Sequence, residues 1–367
     1  METDKLETKA VKPTRRRRRA GPLAAAGAML ATGAGMTIAS AAPAFAAGGT
    51  AGEIADPDTV FAPNAEYMYG TSYTGPNCSG TVTSFMVPLV IATPGTGSGS
   101  TFDGVCTARE SFAAPANWWG DPGGGIWAPS VVNFNGQWHM YYTALVRGTG
   151  QRCIGHALSN AFGVFIPNDG NKWACPSNGR WVIDPDAKVI DGRIVVAYRD
   201  DAVTTGNQTG ISIVGTDANG FADWNTRRTA LTSDAVGDWA WNAPHSTKVI
   251  ENPSLVPRGD GTWDLFFSAG EWNGPNYGTG AAHCGSALQA GGCKMMGSTS
   301  SPYFGYSGNA YGTQYTLPEN HAGPGGMDAY QGTNGYRVAW HWWKADGVRY
   351  SRTSNLLWNG TNWKVGY

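Results

Sequence analysis

The feature that most constrains the fold is a pattern that occurs five times along the chain. Each copy has a polar or small residue, usually with Pro nearby, then a short apolar strand, a Gly-containing turn and a strand rich in aromatic residues. The copies begin at Ala55, Trp127, Ile183, Glu251 and Gly325. Repeats that begin about 56 to 75 residues apart indicate an architecture in which one structural unit recurs.

The turn residues predict a hairpin in four of the copies. The stretches "NFNGQW", "VIDGRI", "RGDGTW" and "GTNGYR" place Asn-Gly or Asp-Gly between apolar runs, which is the strongest short hairpin signal. Each interval has room for four strands, and radial repetition of four-stranded sheets makes a propeller. The 52 Gly and 21 Pro leave no long helical periodicity uninterrupted. We therefore predict an all-β, five-bladed β-propeller.

The first 46 residues predict a secretory signal peptide. They contain the arginine run of "TRRRRRAGP", an Ala-rich apolar stretch from Leu23 and the small-x-small ending Ala44-Phe45-Ala46. That ending, and the Gly and Ala that dilute the apolar stretch, disfavour the alternative of a membrane anchor. We predict cleavage after Ala46, one domain over residues 47–367, and an extracellular location reached by the Sec or the twin-arginine route.

Charge and cysteine content fit an exported protein. The signal segment holds eight of the 26 Lys and Arg and three of the 27 Asp and Glu, which leaves 18 against 24 and a net charge of −6. A mildly acidic chain has no electrostatic reason to bind nucleic acid or an anionic membrane. The six cysteines lack a Cys-x-x-Cys pair, which favours disulfides over a metal site. Sequence proximity suggests the pairs Cys78–Cys106, Cys153–Cys175 and Cys284–Cys293.

The propeller geometry predicts where chemistry occurs. The innermost strand of every blade lines a central channel, so the residue just before each hairpin faces one shared axis. We place Asp56, Ser130, Asp184, Glu251 and Asp328 at these positions. A single Asp or Glu beside Pro is more often a turn former or strand-end cap. Because Asp56, Asp184 and Glu251 come from three blades, we interpret them as one site.

Converging carboxylates suit glycosidic hydrolysis. The inverting reaction needs an acid to protonate the leaving oxygen and a base to activate water on the other face of the sugar. A third carboxylate nearby favours the protonated form of the acid by like-charge repulsion. Glu251 is the best candidate for the acid, because its longer side chain can reach over a sugar and no other acid precedes it back to Asp238.

These residues resemble glycoside hydrolase family 43, five-bladed propeller enzymes that act on arabinan and xylan. The family has a base Asp in blade one, a pKa-modulating Asp in blade three and an acid Glu in blade four. By matching motif, "ADPDTV" implies a base at Asp56, "VIDPDAKV" a modulator at Asp184 and "IENPSLV" an acid at Glu251. In "WAPSVV", Ser130 stands where the family commonly has Asp.

Two departures from the family pattern concern the site. Asn252 follows the acid Glu in place of a small residue, which puts the mouth of the site and the orientation of Glu251 in question. In "GPGGMDAY", Gly326 and Met327 stand where the family often has a His near a channel ion, and His321 is the nearest substitute. No cofactor is therefore required by the sequence, and a channel calcium ion stays an open alternative.

Tryptophans near the motifs are candidates for sugar stacking. Trp118 and Trp119 precede the blade-two motif, and Trp241 precedes the acid segment. Their flat apolar faces suit sugar rings. The competing interpretation is that propellers pack Trp between sheets. We also expect "AWHWW" to be an alternating strand in which His341 is structural.

Three functional classes stay open at this stage. The leading one is a secreted, monomeric, inverting glycoside hydrolase on arabinose- or xylose-containing plant polysaccharide or its oligosaccharides. The second is a propeller that only binds glycans, which would not need an acid, a base and a modulator. The third is a retaining enzyme on fructosyl substrates, whose usual "NDPNG" is here "ADPDTV". Endo and exo cleavage cannot be distinguished, because they depend on loops around the cleft.

Overall fold

The computed structural model describes residues 53–366 except 63–64, 93–105, 121–124, 162, 169, 171, 287, 289–290, 333 and 344–347. The predicted signal peptide lies outside the described residues. The described part of the chain forms β-strands and short 3-10 helices and contains no α-helix. Within it, no helix is long and apolar enough to cross a membrane.

The first two blades occupy the chain from residue 58 to 167. The strands are β1 (Asp58–Ala62), β2 (Ala65–Tyr69), β3 (Tyr73–Pro76), β4 (Val82–Phe85), β5 (Pro88–Ala92), β6 (Thr107–Glu110), β7 (Ile126–Phe134), β8 (Gln137–Leu145), β9 (Arg152–Ser159) and β10 (Ile166–Pro167). Blade 1 has the order β1-β2-β5-β6, blade 2 has the order β7-β8-β9-β10, and β3 and β4 form a separate ribbon.

Blade 3 and the ribbon that follows it extend to residue 248. The strands are β11 (Val182–Ile190), β12 (Arg193–Asp200), β13 (Gly210–Gly215), β14 (Arg228–Thr232), β15 (Trp241–Asn242) and β16 (Thr247–Lys248). Blade 3 has the order β11-β12-β13-β14, and β15 pairs with β16 alone. The 3-10 helices are Asp201–Val203, Trp224–Thr226, Ser233–Ala235, Asp238–Ala240, Ala243–His245 and, later in the chain, Pro318–Asn320.

Blades 4 and 5 complete the propeller. The strands are β17 (Ile250–Pro257), β18 (Trp263–Ala269), β19 (Gly278–Gly285), β20 (Lys294–Met295), β21 (Phe304–Gly305), β22 (Tyr315–Thr316), β23 (Gly325–Gly332), β24 (Gly335–Trp343), β25 (Arg349–Trp358) and β26 (Trp363–Val365). Blade 4 has the order β17-β18-β19-β21-β22 with β20 also on β19, and blade 5 has the order β23-β24-β25-β26.

Five innermost strands surround the axis. Strand β1 lies beside β7, β7 beside β11, β11 beside β17, β17 beside β23, and β23 beside β1, so the circle closes. The predicted five-bladed propeller is confirmed. The predicted Asn-Gly and Asp-Gly turns join the first two strands of blades 2 and 3, where Asn135, Gly136, Asp191 and Gly192 all have positive φ, as a hairpin turn with matching twist requires.

A left-handed residue recurs at the start of every innermost strand. The five residues are Asp56 (φ 49°), Ala128 (φ 40°), Asp184 (φ 55°), Asn252 (φ 45°) and Gly326 (φ 57°). In blades 2 to 5 this residue lies where the register to the second strand shifts, which makes it the extra residue of a β-bulge. Asp, Asn and Gly tolerate this conformation better than most residues. The bulge turns side chains at the strand start toward the axis.

Two residues after each left-handed residue, a side chain binds the next blade. We call these five residues the closure ring. Each accepts a backbone N–H: Asp58 from Val131 (2.9 Å), Ser130 from Ala187 (2.9 Å), Asp186 from Leu255 (2.9 Å), Ser254 from Ala329 (3.0 Å) and Asp328 from Thr59 (2.7 Å). The last bond joins blade 5 to blade 1. Side chains thus satisfy innermost backbone donors and join all five blades.

The apolar core lies between neighbouring blades. Five clusters of buried side chains fill the five interfaces, from blades 1 and 2 round to blades 5 and 1, where Met68 packs with Tyr330 and Ala339. Three disulfides join Cys78 to Cys106, Cys153 to Cys175 and Cys284 to Cys293. The pairing suggested by sequence proximity is confirmed.

Candidate active site

A cavity of about 390 Å³ opens at one end of the axis. Asp56, Asp184 and Glu251 all line it, so the three predicted catalytic residues share one chamber. The other lining residues are Thr71, Trp127, Trp181, Ile183, Arg199, Asn242, His245, Val249, Asn252, Trp272, Tyr277 and Arg349. A cavity with aromatic walls and a few charged groups is typical of small-ligand sites.

Asp56 is held as a carboxylate. Its Oδ1 lies 3.0 Å from Nη1 of Arg349, and its Oδ2 accepts a hydrogen bond of 2.6 Å from the Thr71 hydroxyl. Burial by itself would raise the pKa of Asp56, but the positive charge of Arg349 and the hydrogen bonds outweigh it, so the pKa is lowered. Asp56 is therefore ionised at neutral pH.

His341 supports Asp56 from below. Its Nδ1 accepts the backbone N–H of Asp56 at 3.1 Å, and its ring stacks on Tyr277. Burial and the charge of Arg349 lower the pKa of His341 to about 3. The imidazole is therefore neutral at neutral pH, and we assign the lowered pKa of Asp56 to Arg349 and the hydrogen bonds and not to a His charge. The expectation that His341 is structural fits this position.

Asp184 has the opposite electrostatic character. Burial, followed by the negative charges of Glu251 and Asp56, raises its pKa well above the ordinary range. Within the residues that the structure describes, its Oδ2 accepts a long backbone hydrogen bond of 3.2 Å from Asn252. The environment of Asp184 thus favours the protonated form, in contrast to that of Asp56.

Glu251 lies between two donors. Its Oε2 is 2.9 Å from Nη1 of Arg199, and its Oε1 accepts a hydrogen bond of 2.8 Å from the Tyr277 hydroxyl. Arg199 also forms a two-point pair with Asp201, at 2.9 and 3.0 Å. The two oxygens of Glu251 are thus fixed in direction, and the charge of Arg199 is shared with a second carboxylate.

Asn252 connects the carboxylates. Its backbone N–H reaches Asp184, and its side-chain amide lies 3.4 Å from Asp56 Oδ1 and 3.4 Å from the Tyr277 hydroxyl. The side chain therefore lies among the catalytic candidates at the floor of the cavity. It contacts the partner of Glu251 and not Glu251 itself.

The structure corrects the repeat frame predicted from sequence. Asp56 and Asp184 occupy the left-handed position, whereas Glu251 comes one residue before it. Ser130 and Asp328 come two residues after it, in the closure ring, and neither lines the cavity. The five predicted positions therefore belong to three places in the repeat. The bulge brings two of those places to the cavity and turns the third toward the neighbouring blade.

The predicted role of Ser130 in substrate binding is wrong for the same reason. The residue is 1% exposed, and its hydroxyl accepts the backbone N–H of Ala187. A narrow passage of about 30 Å³, lined by left-handed and closure-ring residues together, lies between the ring and the cavity.

The closure ring contains the group of carboxylates that best resembles a cation site. Carboxylate oxygens of Asp58, Asp186 and Asp328 lie within 4.8 Å of one another. However, Nζ of Lys188 lies 2.8 Å from Asp186 Oδ1 and 2.8 Å from Asp328 Oδ1. Calcium requires six to eight oxygen ligands, and this ammonium already occupies the position of the cation. These residues therefore do not fit the calcium ion left open by the sequence.

His321 does not replace the family's channel histidine. Its ring stacks on Trp342 at 4.6 Å between centroids, and it does not line the axial passage. At the blade-five position itself, a Cβ on Gly326 would lie 2.6 Å from the imidazole of His341. Gly326 thus makes space for a histidine that comes from the second strand.

The tryptophans predicted to bind sugar are elsewhere. Trp119 is 6% exposed in the interface between blades 1 and 2, and Trp118 stacks on Tyr142 in the same region. Trp241 is 50% exposed but does not line the cavity. Packing between blades therefore accounts for Trp118 and Trp119, whereas substrate contact by the exposed Trp241 stays a prediction.

Different tryptophans line the cavity, and each lies near an arginine. The guanidinium carbon of Arg152 lies 3.2 Å from the centroid of the Trp127 ring and 5.9 Å from that of the Trp181 ring, and the two rings contact each other edge to face. Trp272 lies 5.3 Å from the guanidinium of Arg349. Trp127 could have been found from sequence, because it begins the second repeat. Trp181 and Trp272 lie in loops, which the repeat pattern does not place.

Solved structures with the same fold include several family 43 enzymes. A thermostable family-43 glycoside hydrolase matches at 18% identity and a TM-score of 0.64, over 89% of this chain and 95% of its own. An endo-1,4-β-xylanase from Bacteroides thetaiotaomicron matches at 18% identity and 0.63, over 88% and 97%. The Bacillus subtilis arabinanase Arb43A matches at 18% and 0.54, over 87% and 100%. At this identity the likeness shows the fold. No family model and no curated protein sequence matches the chain.

Proposed function

We propose that this protein is an inverting glycoside hydrolase that acts on arabinose- or xylose-containing plant polysaccharide. The observation that carries the proposal is the convergence of three carboxyls from three blades on one cavity, in which the pKa of Asp56 is lowered and that of Asp184 is raised. Pairs of titratable groups whose environments separate their pKa values are the mark of acid and base assignments. A protein that only binds glycans has no need of that difference.

Asp56 suits the role of base. It is ionised at neutral pH, and the Arg349 and Thr71 contacts hold its orientation. In the inverting reaction it takes a proton from water as the water oxygen attacks the anomeric carbon. Because its pKa is lowered, the carboxylate stays available as the pH falls to moderately acidic values.

Glu251 suits the role of acid, in concert with Asp184. The negative charge of Glu251 helps to raise the pKa of Asp184, and we treat the two as a pair that holds one proton. The Tyr277 hydroxyl can donate to the Glu251 carboxylate or accept from its protonated form, so this contact is compatible with both states. Glu251 gives the proton to the glycosidic oxygen as the bond to the anomeric carbon breaks.

The cavity walls support a sugar substrate. Trp127 and Trp181 lie edge to face in the wall and Trp272 also lines the cavity, and aromatic faces pack well on the apolar faces of sugar rings. Among proteins of the same fold are the xylanase and the arabinanase described above. Pentose polymers are therefore the first substrates to test.

The test is a substrate screen with the protein lacking residues 1–46. Linear arabinan, xylan, arabinoxylan and aryl glycosides of arabinofuranose and xylopyranose should be compared, with a fructan as the competing class. We expect release of pentose products, and the size of these products distinguishes endo from exo cleavage. Fructose release alone, or binding to a glycan without any product, would refute the proposal.

We further propose that the protein is exported, which the three disulfides support. The protein recovered from culture medium should begin at Ala47 and contain no free thiol by non-reducing mass spectrometry. An uncleaved N-terminus, or two or more free cysteines, would contradict export.

A further inference from the structure

Arg199 departs from a hydrogen-bond pattern that the other four blades share. On the second strand of blades 2 to 5, one residue pairs with the residue that precedes the left-handed position, and in blade 1 Thr71, which lies just after β2, bonds the backbone of Ala55 in the same way. These residues are Thr71, Thr143, Arg199, Ser268 and His341. Four of them can accept a hydrogen bond through a hydroxyl or an imidazole, whereas a guanidinium has no acceptor.

The four acceptors all serve the same purpose. Each accepts the backbone N–H of the left-handed residue in the next blade: Thr71 from Ala128 (2.9 Å), Thr143 from Asp184 (3.0 Å), Ser268 from Gly326 (2.8 Å) and His341 from Asp56 (3.1 Å). The corresponding donor at the interface of blades 3 and 4 is Asn252. Since Arg199 cannot accept it, this N–H turns to Asp184 at 3.2 Å.

Arg199, the exception to this pattern, lies beside Glu251. Arg199 is 8% exposed, and of its guanidinium nitrogens Nη1 binds Glu251 while Nε and Nη2 bind Asp201. A buried arginine that redirects a backbone hydrogen bond from the second strand to a carboxylate departs from the repeat pattern, and departures of this kind concentrate at functional sites. We propose that Arg199, held by Asp201, is a positioning residue that fixes the carboxyl of Glu251 for proton donation.

This inference rests on the proposed function of Glu251 and adds a physical requirement to it. A guanidinium with its full charge would hold Glu251 as a carboxylate and oppose the acid role. The two-point pair with Asp201 offsets that charge, so Arg199 supplies direction at a reduced electrostatic cost. The other titratable or charged groups around Glu251 in the cavity are Asp56, Asp184, His245, Tyr277 and Arg349.

The test compares variants that separate charge from geometry. Arg199→Thr restores the hydroxyl that the repeat has at Thr71 and Thr143, and it removes a cation near Glu251. We expect the alkaline limb of the pH–rate profile to move up by about one pH unit, the shift that one nearby opposite charge produces. Asp201→Asn leaves the Arg199 charge uncompensated and should move the limb to lower pH.

Two further variants control for folding and for charge alone. Arg199→Thr leaves Asp201 buried without its partner, so the double variant Arg199→Thr/Asp201→Asn is the one designed to keep the fold. This double variant carries no charge at either position, so the alkaline limb of its pH–rate profile should return near that of the wild type. Its kcat on polysaccharide should stay at least tenfold below that of the wild type. Arg199→Lys keeps the charge without the planar fork, so kcat should fall with little movement of the limb.

The substrate pair and a spectroscopic measurement decide the outcome. Loss of positioning should reduce kcat much more on polysaccharide than on an aryl glycoside with an acidic phenol. Equal losses on both substrates, with an unmoved limb, would assign Arg199 to structure only and overturn the inference. Carboxyl ¹³C NMR, with Glu251 assigned by its absence in Glu251→Gln, follows the same titrations without activity. If the Glu251 titration shifts in opposite directions in Arg199→Thr and Asp201→Asn but the wild type is inactive on every substrate, the glycosidase proposal is refuted and the role of the Arg199–Asp201 pair in offsetting charge is retained.

Discussion

Replacing Glu251 with Gln tests the acid role with little disturbance of the site. The amide oxygen can still accept from Arg199, and the amide group can donate to the Tyr277 hydroxyl, which also accepts hydrogen bonds. Arg199 keeps its two-point pair with Asp201. The loss in folding stability should therefore be about 1 kcal/mol, the difference between a charged and a neutral hydrogen bond.

The cost should instead appear in the rate, and it should depend on the leaving group. A general acid contributes about 10²- to 10⁴-fold, which corresponds to roughly 3 to 5 kcal/mol of transition-state stabilisation. A sugar alkoxide must be protonated as it departs, whereas an acidic phenolate leaves without help. We expect kcat on arabinan or xylan to fall by about 10²- to 10⁴-fold, and on an acidic aryl glycoside by less than about tenfold.

The assay is kcat on both substrates, with circular dichroism to confirm folding. Glu271→Gln is the matched control, because it makes the same chemical change beside the cavity at a residue that does not line it. This control should retain the wild-type rate on both substrates. An equal loss on both substrates for Glu251→Gln, or full activity on polysaccharide, would refute the acid role.

Three further predictions follow from the same geometry. Asp56→Asn removes the base, so activity on polysaccharide and on aryl glycoside should fall alike. With the same base role, early product from the wild type should show inverted anomeric configuration by proton NMR, and a product of retained configuration would exclude the mechanism. Asp184→Asn leaves the shared proton on Glu251 without a negative neighbour, so the alkaline limb should move to lower pH. Because the pKa of Asp184 is higher in the folded than in the unfolded protein, the wild type loses stability as the pH rises from the ordinary Asp range toward the raised pKa. The unfolding free energy of this variant should therefore equal that of the wild type near pH 3 and exceed it at pH 7. Lys188→Met leaves buried carboxylates unpaired and should cost about 3 to 5 kcal/mol in denaturant unfolding at neutral pH, whereas the exposed Lys364→Met should change little.

The repeat pattern was enough to predict the architecture. Apolar strands with Asn-Gly or Asp-Gly turns are local signals, because turn conformation and strand alternation depend on neighbouring residues. Five such units could close only as a propeller, and the structure has five blades. The disulfide pairs were also predictable, since each joins cysteines close in sequence. The motifs further identified Asp56, Asp184 and Glu251, which do share one cavity.

What the sequence could not decide is which side chains of one repeat face the same space. Residues one and two positions apart look equivalent in a repeat alignment, but the left-handed bulge sends them to different surroundings. Ser130 and Asp328 therefore belong to the closure ring, although the repeat pattern groups them with the catalytic candidates. Trp118 and Trp119 had a suitable composition and distance in sequence, yet only the packing between blades showed that they are core residues.

The electrostatics of the site depended entirely on the tertiary structure. Arg349 meets Asp56 across 293 positions of sequence, and Arg199 meets Glu251 across 52. Charge interactions act through space and depend on burial, so no local pattern could assign the ionised form to Asp56 and the raised pKa to Asp184. The sequence by itself determined the fold and named the three carboxylates, and the closure of the propeller determined the environment of each.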